Sequence, residues 1–358
     1  MIFQHYQDPK RVLFCYFLHL IEIPSFSSEE DKTGDLLASW CTIHNIEYNR
    51  TKNNVWAVNK YFDESKPTLL LNSHHDTVKP NKGYTKDPFK AIVEDGKLFG
   101  LGSNDAGGCL VSLMATFTYF YTKKNLKYNL VIVASAEEES SGPNGLNSML
   151  KVIPNIDVAI VGEPTLMNLA VAEKGLVVFD AKVKGTPGHA AHPNDDNALY
   201  NTIEVLKWFQ DYKFERPSEA LGDVKMTVTQ IKGGKQHNAI PAEVELVIDV
   251  RVNDAYSNQE IADILIAESP CSSITPRSLR LNSSSIPVDH ELVKAGIAMG
   301  RSTYGSPTLS DQAALSSPSL KLGPGDSTRS HSADEFIYIA EIEEGIQIYV
   351  ELLNRVIV

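Results

Sequence analysis

The sequence predicts an α/β protein with a central mixed, largely parallel sheet and a smaller α+β domain inserted into it. Three observations carry this reading. Short aliphatic runs, LLL at 69–71, LVIV at 130–133 and VAIV at 158–161, are of the kind found in parallel strands buried on both faces. Each run leads into polar groups that resist burial, at His74, Glu137 and Glu163, and open α/β sheets place ligands beyond the carboxyl ends of their strands. After Glu163 the pattern changes to longer alternating segments, which suit half-buried antiparallel strands. The expected division is residues 1–166 with 278–358 as one domain and 167–277 as the insert.

Along the chain, Asp8-Pro9 offers a helix start, with a side-chain oxygen at the cap and proline in the first turn. Leu13, Phe17 and Leu20 then share one face, and the helix should end near Pro24. The apolar run at 12–21 is too short to span a membrane, His19 interrupts it, and no small-residue cleavage site follows. WAVNKYF and TLLLNSHH read as strands, and Gly108 to Tyr121 reads as a helix. In the insert, LVVFDAKVKG, KMTVTQIKGG and EVELVIDVRV alternate as strands, while ALYNTIEVLKWFQDY and NQEIADILIAE are helical. The serine-rich run around Ser283–Ser285 reads as the return to the first domain. DHELVKAGIAMG and a terminal amphipathic helix from about Asp334 complete the chain.

With 358 residues the chain is long enough for two or three full-sized cores, and 42% hydrophobic with 22% charged residues excludes disorder. A formal charge of -12 argues against nucleic acid as a partner, because a phosphate backbone rewards a basic face. The four cysteines are widely spaced without a CxxC unit, which fits a reduced, cytoplasmic chain.

Five segments place imidazoles and carboxylates at strand ends or glycine-rich turns: SHHDTV (His74, Asp76), GLGSNDAGG (Asp105), SAEEESSG (Glu137, Glu138), VGEPT (Glu163) and RSHSADEF (His331). Mixed imidazole and carboxylate donors suit zinc, and also cobalt or manganese. His74 and Asp76 are two apart and share a strand face, whereas His75 points the other way. Glycines around Asp105 let the backbone turn sharply into a crowded site. Cys109 reads as a small buried residue, since no base is apparent beside it.

The ordered set LNSHHDTV, GLGSNDAGG, ASAEEESSG, VGEPT, GTPGHAAHP, NAIPAEVELVIDVR and SHSADEF resembles the M20 metallopeptidase family over essentially the whole chain. Within that family the look is that of the acetylornithine, succinyl-diaminopimelate and N-acetyl-lysine deacylases. The resemblance implies a zinc-peptidase-like catalytic domain with an inserted dimerisation domain. It also implies two zinc ions per chain, which cobalt or manganese can replace. His74 and Glu163 would hold one metal, His331 and Glu138 the other, with Asp105 bridging. Glu137 would be the general base and Asp76 would orient His74. The run of three glutamates admits two registers, and the Ser141-Gly142 turn favours this one.

From the insert, His189 would reach the active site of the partner in a homodimer, with Asn238 near the oxyanion and Arg251 on the substrate carboxylate. Asp311, in TLSDQAAL, reads equally as a pocket-lining residue or a helix cap. The implied reaction is hydrolysis of the amide bond of an N-acyl amino acid, N-acetyl- or N-succinyl-ornithine or N-acetyl-lysine, as in arginine biosynthesis. A dipeptidase, aminopeptidase or aminoacylase is the alternative within the family. A non-catalytic scaffold should have lost ligands that this sequence retains. Ala136 and Ala106-Gly107 depart from the family pattern, which often has Asp and Met-Lys there.

Overall fold

A computed structural model describes residues 9–358. Asp8, expected to cap the first helix, lies outside the described residues; the helix runs Pro9–Glu22 and buries Leu13 and Phe17. The chain forms two compact units, the second made of Ala172–Ser285 with Gly305–Leu309. Its borders fall a few residues beyond the expected 167 and 277.

In the first unit the sheet order is Tyr48–Thr51, Asn54–Val58, Asn129–Ser135, Thr68–His74, Val158–Val161, Ser319–Lys321 and Leu169–Glu173, whose last two residues begin the second unit. The four strands from Asn129–Ser135 to Ser319–Lys321 are mutually parallel. The outer pairings are antiparallel. Every residue of Thr68–His74 and Asn129–Ser135 is buried, because apolar layers cover both faces. Leu69, Leu71, Leu130, Ile132 and Ile160 face a core shared with Phe17, Phe117 and Tyr349. Leu70, Val131, Val133 and Ala159 face a smaller cluster with Leu146 and Met149. The polar groups that follow the four parallel strands are thereby gathered at one sheet edge.

The terminal helix begins at Ile339, not near Asp334. Phe336–Tyr338 is instead a strand paired antiparallel with Lys97–Phe99. Phe, Ile and Tyr favour a pleated surface. Phe336 stands directly across from Phe99, ring centroids 5.4 Å apart, a cross-strand aromatic pair that a helix would forfeit.

The second unit is a four-stranded antiparallel sheet ordered Lys225–Gly233, Glu243–Val252, Gly175–Lys184, Ser273–Pro276. Alternate residues Val177, Phe179, Ala181, Val244, Leu246 and Ile248 form its core with Val205, Phe209, Ile261 and Leu265 from the helices Ala198–Asp211 and Asn258–Glu268. Asn197 caps the first helix, and Ser257 with Glu260 forms a capping box at the second.

Candidate metal centre

His74 is the last residue of its strand and is almost fully buried. Its Nε2 lies 3.2 Å from Asp105 Oδ1 and 3.7 Å from Glu163 Oε1. The other Asp105 oxygen, Oδ2, lies 3.7 Å from His331 Nε2, which is 3.0 Å from Glu139 Oε2. One carboxylate thus offers an oxygen to each of two histidines, the arrangement a bridging ligand needs. His74, Glu138 and Glu163 offer donor atoms within 4.8 Å of one another, as do His74, Asp105 and Glu139.

Asp105 reaches this position through a tight turn. Gly102 has φ 74°, and a Cβ there would meet Thr77 Cγ2 at 2.5 Å, so the turn needs glycine both for conformation and for space. Its donor set fits divalent metal on electrostatic grounds. Two like charges about 4 Å apart repel by about 4 kcal/mol even at an effective dielectric near 20. Asp105, Glu138, Glu139 and Glu163 therefore cannot all ionise together without cations. Burial, reinforced by the Asp105 charge, pushes Glu163 up to about 8. Burial also raises Glu139, and it raises Glu138 well above the carboxylate range with help from Glu163, Asp311 and Glu139. Burial pulls His74 down, but its bonds to Asp105 and Asp76 outweigh that and raise it well above its ordinary value. The bond to Glu139 lifts His331 to about 9. Divalent cations would replace these protons.

Asp76 does more than face His74. Its Oδ1 lies 3.5 Å from His74 Nδ1, whose shorter contact, 3.0 Å, is to the Asp76 backbone carbonyl. The same carboxylate accepts the N–H of Glu138 at 3.0 Å, the N–H of Glu139 at 3.1 Å and the Ser27 hydroxyl at 2.7 Å.

Glu137 is not brought into the cluster. Its carboxylate accepts the Ser28 hydroxyl at 2.9 Å and both the N–H and side-chain amide of Asn144 at 2.9 and 2.8 Å. Burial opposes its ionisation, but the Asn144 and Ser28 bonds hold it below its ordinary value. Its backbone adopts φ 56° and donates to the fully buried Glu30. A Cβ at Gly142 would lie 2.1 Å from Glu137 Oε2, so the small-residue turn accommodates Glu137 itself. The left-handed backbone rotates the next two side chains relative to a continued strand, and Glu139 takes the position beside His331. Sequence reasoning missed Glu139 and the tethers Ser27, Ser28 and Glu30. Three consecutive glutamates were the only signal, and it left the register open.

Asp311 opens a short turn, Asp311–Ala314, and accepts the Ser135 hydroxyl at 2.5 Å; burial raises it to about 6. His75 is buried between Thr33 and the Asn53 carbonyl, and burial lowers it to about 4. The Cys109 thiol is buried and donates to the Pro324 carbonyl. Within the second unit, His189 is exposed and stands across from Ala239, next to Asn238. Arg251 holds Asp249 through two bonds, 2.8 and 3.1 Å.

Residues 70–355 match the family model described as Peptidase family M20/M25/M40. The chain is 28% identical over 374 residues to the acetylornithine deacetylase of Proteus mirabilis (strain HI4320), covering 95% of each. It is 29% identical over 225 residues to the succinyl-diaminopimelate desuccinylase of Rickettsia bellii (strain OSU 85-389), covering 58% of this chain and 56% of that one. Its fold is similar to that of the YXEP protein of Bacillus subtilis, described as a dinuclear metal-binding peptidase, with TM-score 0.73, 16% identity, and 96% and 97% of the two chains covered. The strand order, the gathered donor set and the match over most of its length agree: the chain belongs to the M20 peptidase family, and is a metallohydrolase of that family.

Proposed function

We propose that this enzyme is a dinuclear metal-dependent deacylase that hydrolyses the amide bond of an N-acyl amino acid, with N-acetyl- or N-succinyl-ornithine or N-acetyl-lysine as substrate. The observation that carries the dinuclear reading is Asp105, whose two oxygens address His74 and His331 separately. The deacylase reading is supported by the full-length similarity to an acetylornithine deacetylase.

His74, Asp105 and Glu163 would hold one ion, and His331, Asp105 and Glu139 the other. Zinc is the expected ion, with cobalt or manganese able to replace it. Bound there, two divalent cations polarise a scissile carbonyl and make water acidic enough to attack near neutral pH. This assignment moves the expected register by one residue. Glu138 becomes the general base, lying beside His74 and Glu163, and bound cations would favour the ionised carboxylate that accepting a proton requires. It would take a proton from the attacking water and deliver it to the leaving amine. Glu137 becomes a staple of the turn. Asp311 sits close enough to Glu138 to influence its charge and would line the floor of the pocket.

A homodimer through the second unit is part of this reading. Tyr200 and Ile203 on the helix Ala198–Asp211 are 70% and 59% exposed, and Ile231 on the edge strand Lys225–Gly233 is 55% exposed. An unpaired edge strand beside exposed apolar side chains invites a second copy. His189 and Asn238 would then serve the partner's site as oxyanion donors, and Arg251 would exchange Asp249 for a substrate carboxylate. Among the described residues no helix is long and apolar enough to cross a membrane, and the four cysteines are unbridged. A cytoplasmic location is the reading these support.

Hydrolysis by the zinc-loaded protein of N-acetyl-ornithine, N-succinyl-ornithine, N-acetyl-lysine, succinyl-diaminopimelate and a set of dipeptides tests the substrate class. Turnover of acylated amino acids is expected. Turnover confined to dipeptides would replace the deacylase reading with a peptidase.

A further inference from the structure

We propose that Glu335 is the positioning residue that holds the bridging carboxylate of Asp105 between the two metal positions. Its side chain is 1% exposed. Its Oε1 accepts the backbone N–H of Asn104 at 2.8 Å and of Asp105 at 2.9 Å, and its Oε2 accepts that of Gly102 at 3.2 Å. The Glu335 carbonyl accepts the Gly100 N–H at 3.0 Å. One buried residue thus takes four N–H groups of the turn that aims Asp105.

The chemistry requires a carboxyl group. Three converging N–H donors need two acceptor oxygens, which a carboxyl group offers and an amide does not. The Glu335 carboxyl group sits at the backbone side of Asp105, leaving both Asp105 oxygens for His74 and His331. Glu335 lies four residues after His331 on the same segment, so a single element presents one histidine ligand and fixes the bridging carboxylate. Two further ties keep that segment in register. The Asn81 side chain donates to the His331 carbonyl, and Asn104 donates to the Asp326 carbonyl while accepting the Asp326 N–H.

The His331 position depends on Glu335 for two of its three donors, Asp105 and His331 itself. The His74 position depends on it for one. Loss of the clamp should therefore weaken the two positions unequally. This inference rests on the dinuclear reading above.

In Glu335→Gln the amide nitrogen must face an N–H donor, so the clamp loses at least one bond. Titration of the metal-free full-length protein with zinc by calorimetry, alongside its melting temperature, reads the effect without reference to activity. Wild type should bind two ions. Glu335→Gln should bind one with little change and the other at least about 10-fold more weakly, as loss of a group that orients metal ligands commonly does. Its kcat should fall while KM changes little, and excess zinc should restore turnover. Glu335→Asp keeps both acceptor oxygens with a shorter reach and should fall between the two, and it replaces Glu335→Gln if that variant does not fold. A folded variant that binds both ions like wild type overturns the clamp. Equal weakening of both ions together with a lower melting temperature also overturns it, since that is what a general packing role would give. Wild type that binds a single ion overturns the dinuclear reading, and the clamp with it.

Discussion

Asp76 accepts the backbone N–H of Glu139 at 3.1 Å, while the side chain of Glu139 reaches forward to His331. The carboxylate that faces the first histidine therefore also fixes the turn that supplies a partner to the second. Besides facing His74, Asp76 accepts donors from Ser27, Glu138 and Glu139, and its position against His74 is set by that turn.

Asp76→Asn should consequently do more than disturb one imidazole. The amide nitrogen cannot accept an N–H, so the glutamate turn loses a tether as His74 loses its neighbouring charge. We expect metal affinity or turnover to fall by about 10- to 100-fold. Ser27→Ala removes one donor only and should cost far less. Metal titration of both variants checks this, and an Asp76→Asn variant no weaker than Ser27→Ala would show that neither His74 nor the glutamate turn depends on the Asp76 charge.

The three consecutive glutamates should separate cleanly. Glu138→Gln should retain both metals and lose at least about 100-fold in turnover, since positioned proton transfer is commonly worth that much. Glu139→Gln should lose the metal beside His331, because a neutral amide is a poorer ligand, and should recover partly with excess zinc or cobalt. Glu137→Gln should keep both metals and a substantial part of turnover, its cost appearing as a lower melting temperature from the weakened contacts with Ser28 and Asn144. Elemental analysis with turnover across a metal titration distinguishes the three. Loss of the base function in Glu137→Gln alone would restore the other register.

That register marks where sequence reading stopped. The parallel strands were legible because burial on both faces demands continuous aliphatic runs, as in Leu69–Leu71 and Ile160–Val161. His74, Asp105, Glu163 and His331 were legible because imidazole and carboxylate groups at strand ends and glycine turns have few other uses. Which of Glu137, Glu138 and Glu139 faces the site is decided by one left-handed backbone angle, and by a serine loop more than a hundred residues away. Neither has a local signature. Glu335 was hidden for a related reason: it acts on backbone N–H groups about 230 positions earlier, and those donors carry no sequence identity. Its neighbours Phe336–Tyr338 carry a helical signature because the amphipathic period of the last helix extends back into them, while their strand partner lies far off at Lys97–Phe99.

The metal-free protein should lose stability as pH rises. Glu163 sits at about 8 in the folded chain against an ordinary 4.5, so between these values the folded state keeps a proton that the unfolded state has released. Stability from this group is full below about 4.5 and is lost as pH climbs through about 8. His331, raised from 6.5 to about 9, adds a loss of the same sign across a higher window. His75, lowered from 6.5 to about 4, acts oppositely and costs stability as pH falls through that range. The melting temperature without metal should therefore fall from about pH 6 to about pH 9, and saturating zinc should flatten the fall by compensating the carboxylates. A metal-free profile that is level or rising over this range would contradict the crowding of charge at Asp105, Glu138, Glu139 and Glu163.

The contribution of His189 to a partner's site has a direct test, because two different defects can complement each other only across a dimer. His189→Ala removes the exposed imidazole of the second unit and leaves the metal donors untouched. Glu138→Ala removes the proposed base from the first unit. Each should be nearly inactive by itself. In a mixed dimer one site carries both defects and the other carries neither, provided His189 serves the opposite chain, so about half of the sites should regain activity. The two variants are mixed under conditions of verified subunit exchange, and turnover is compared with that of each parent. Sedimentation of the mixture confirms the dimer, and metal analysis confirms that both chains remain loaded. Activity that stays at the level of the parents would place His189 with its own chain or outside catalysis altogether.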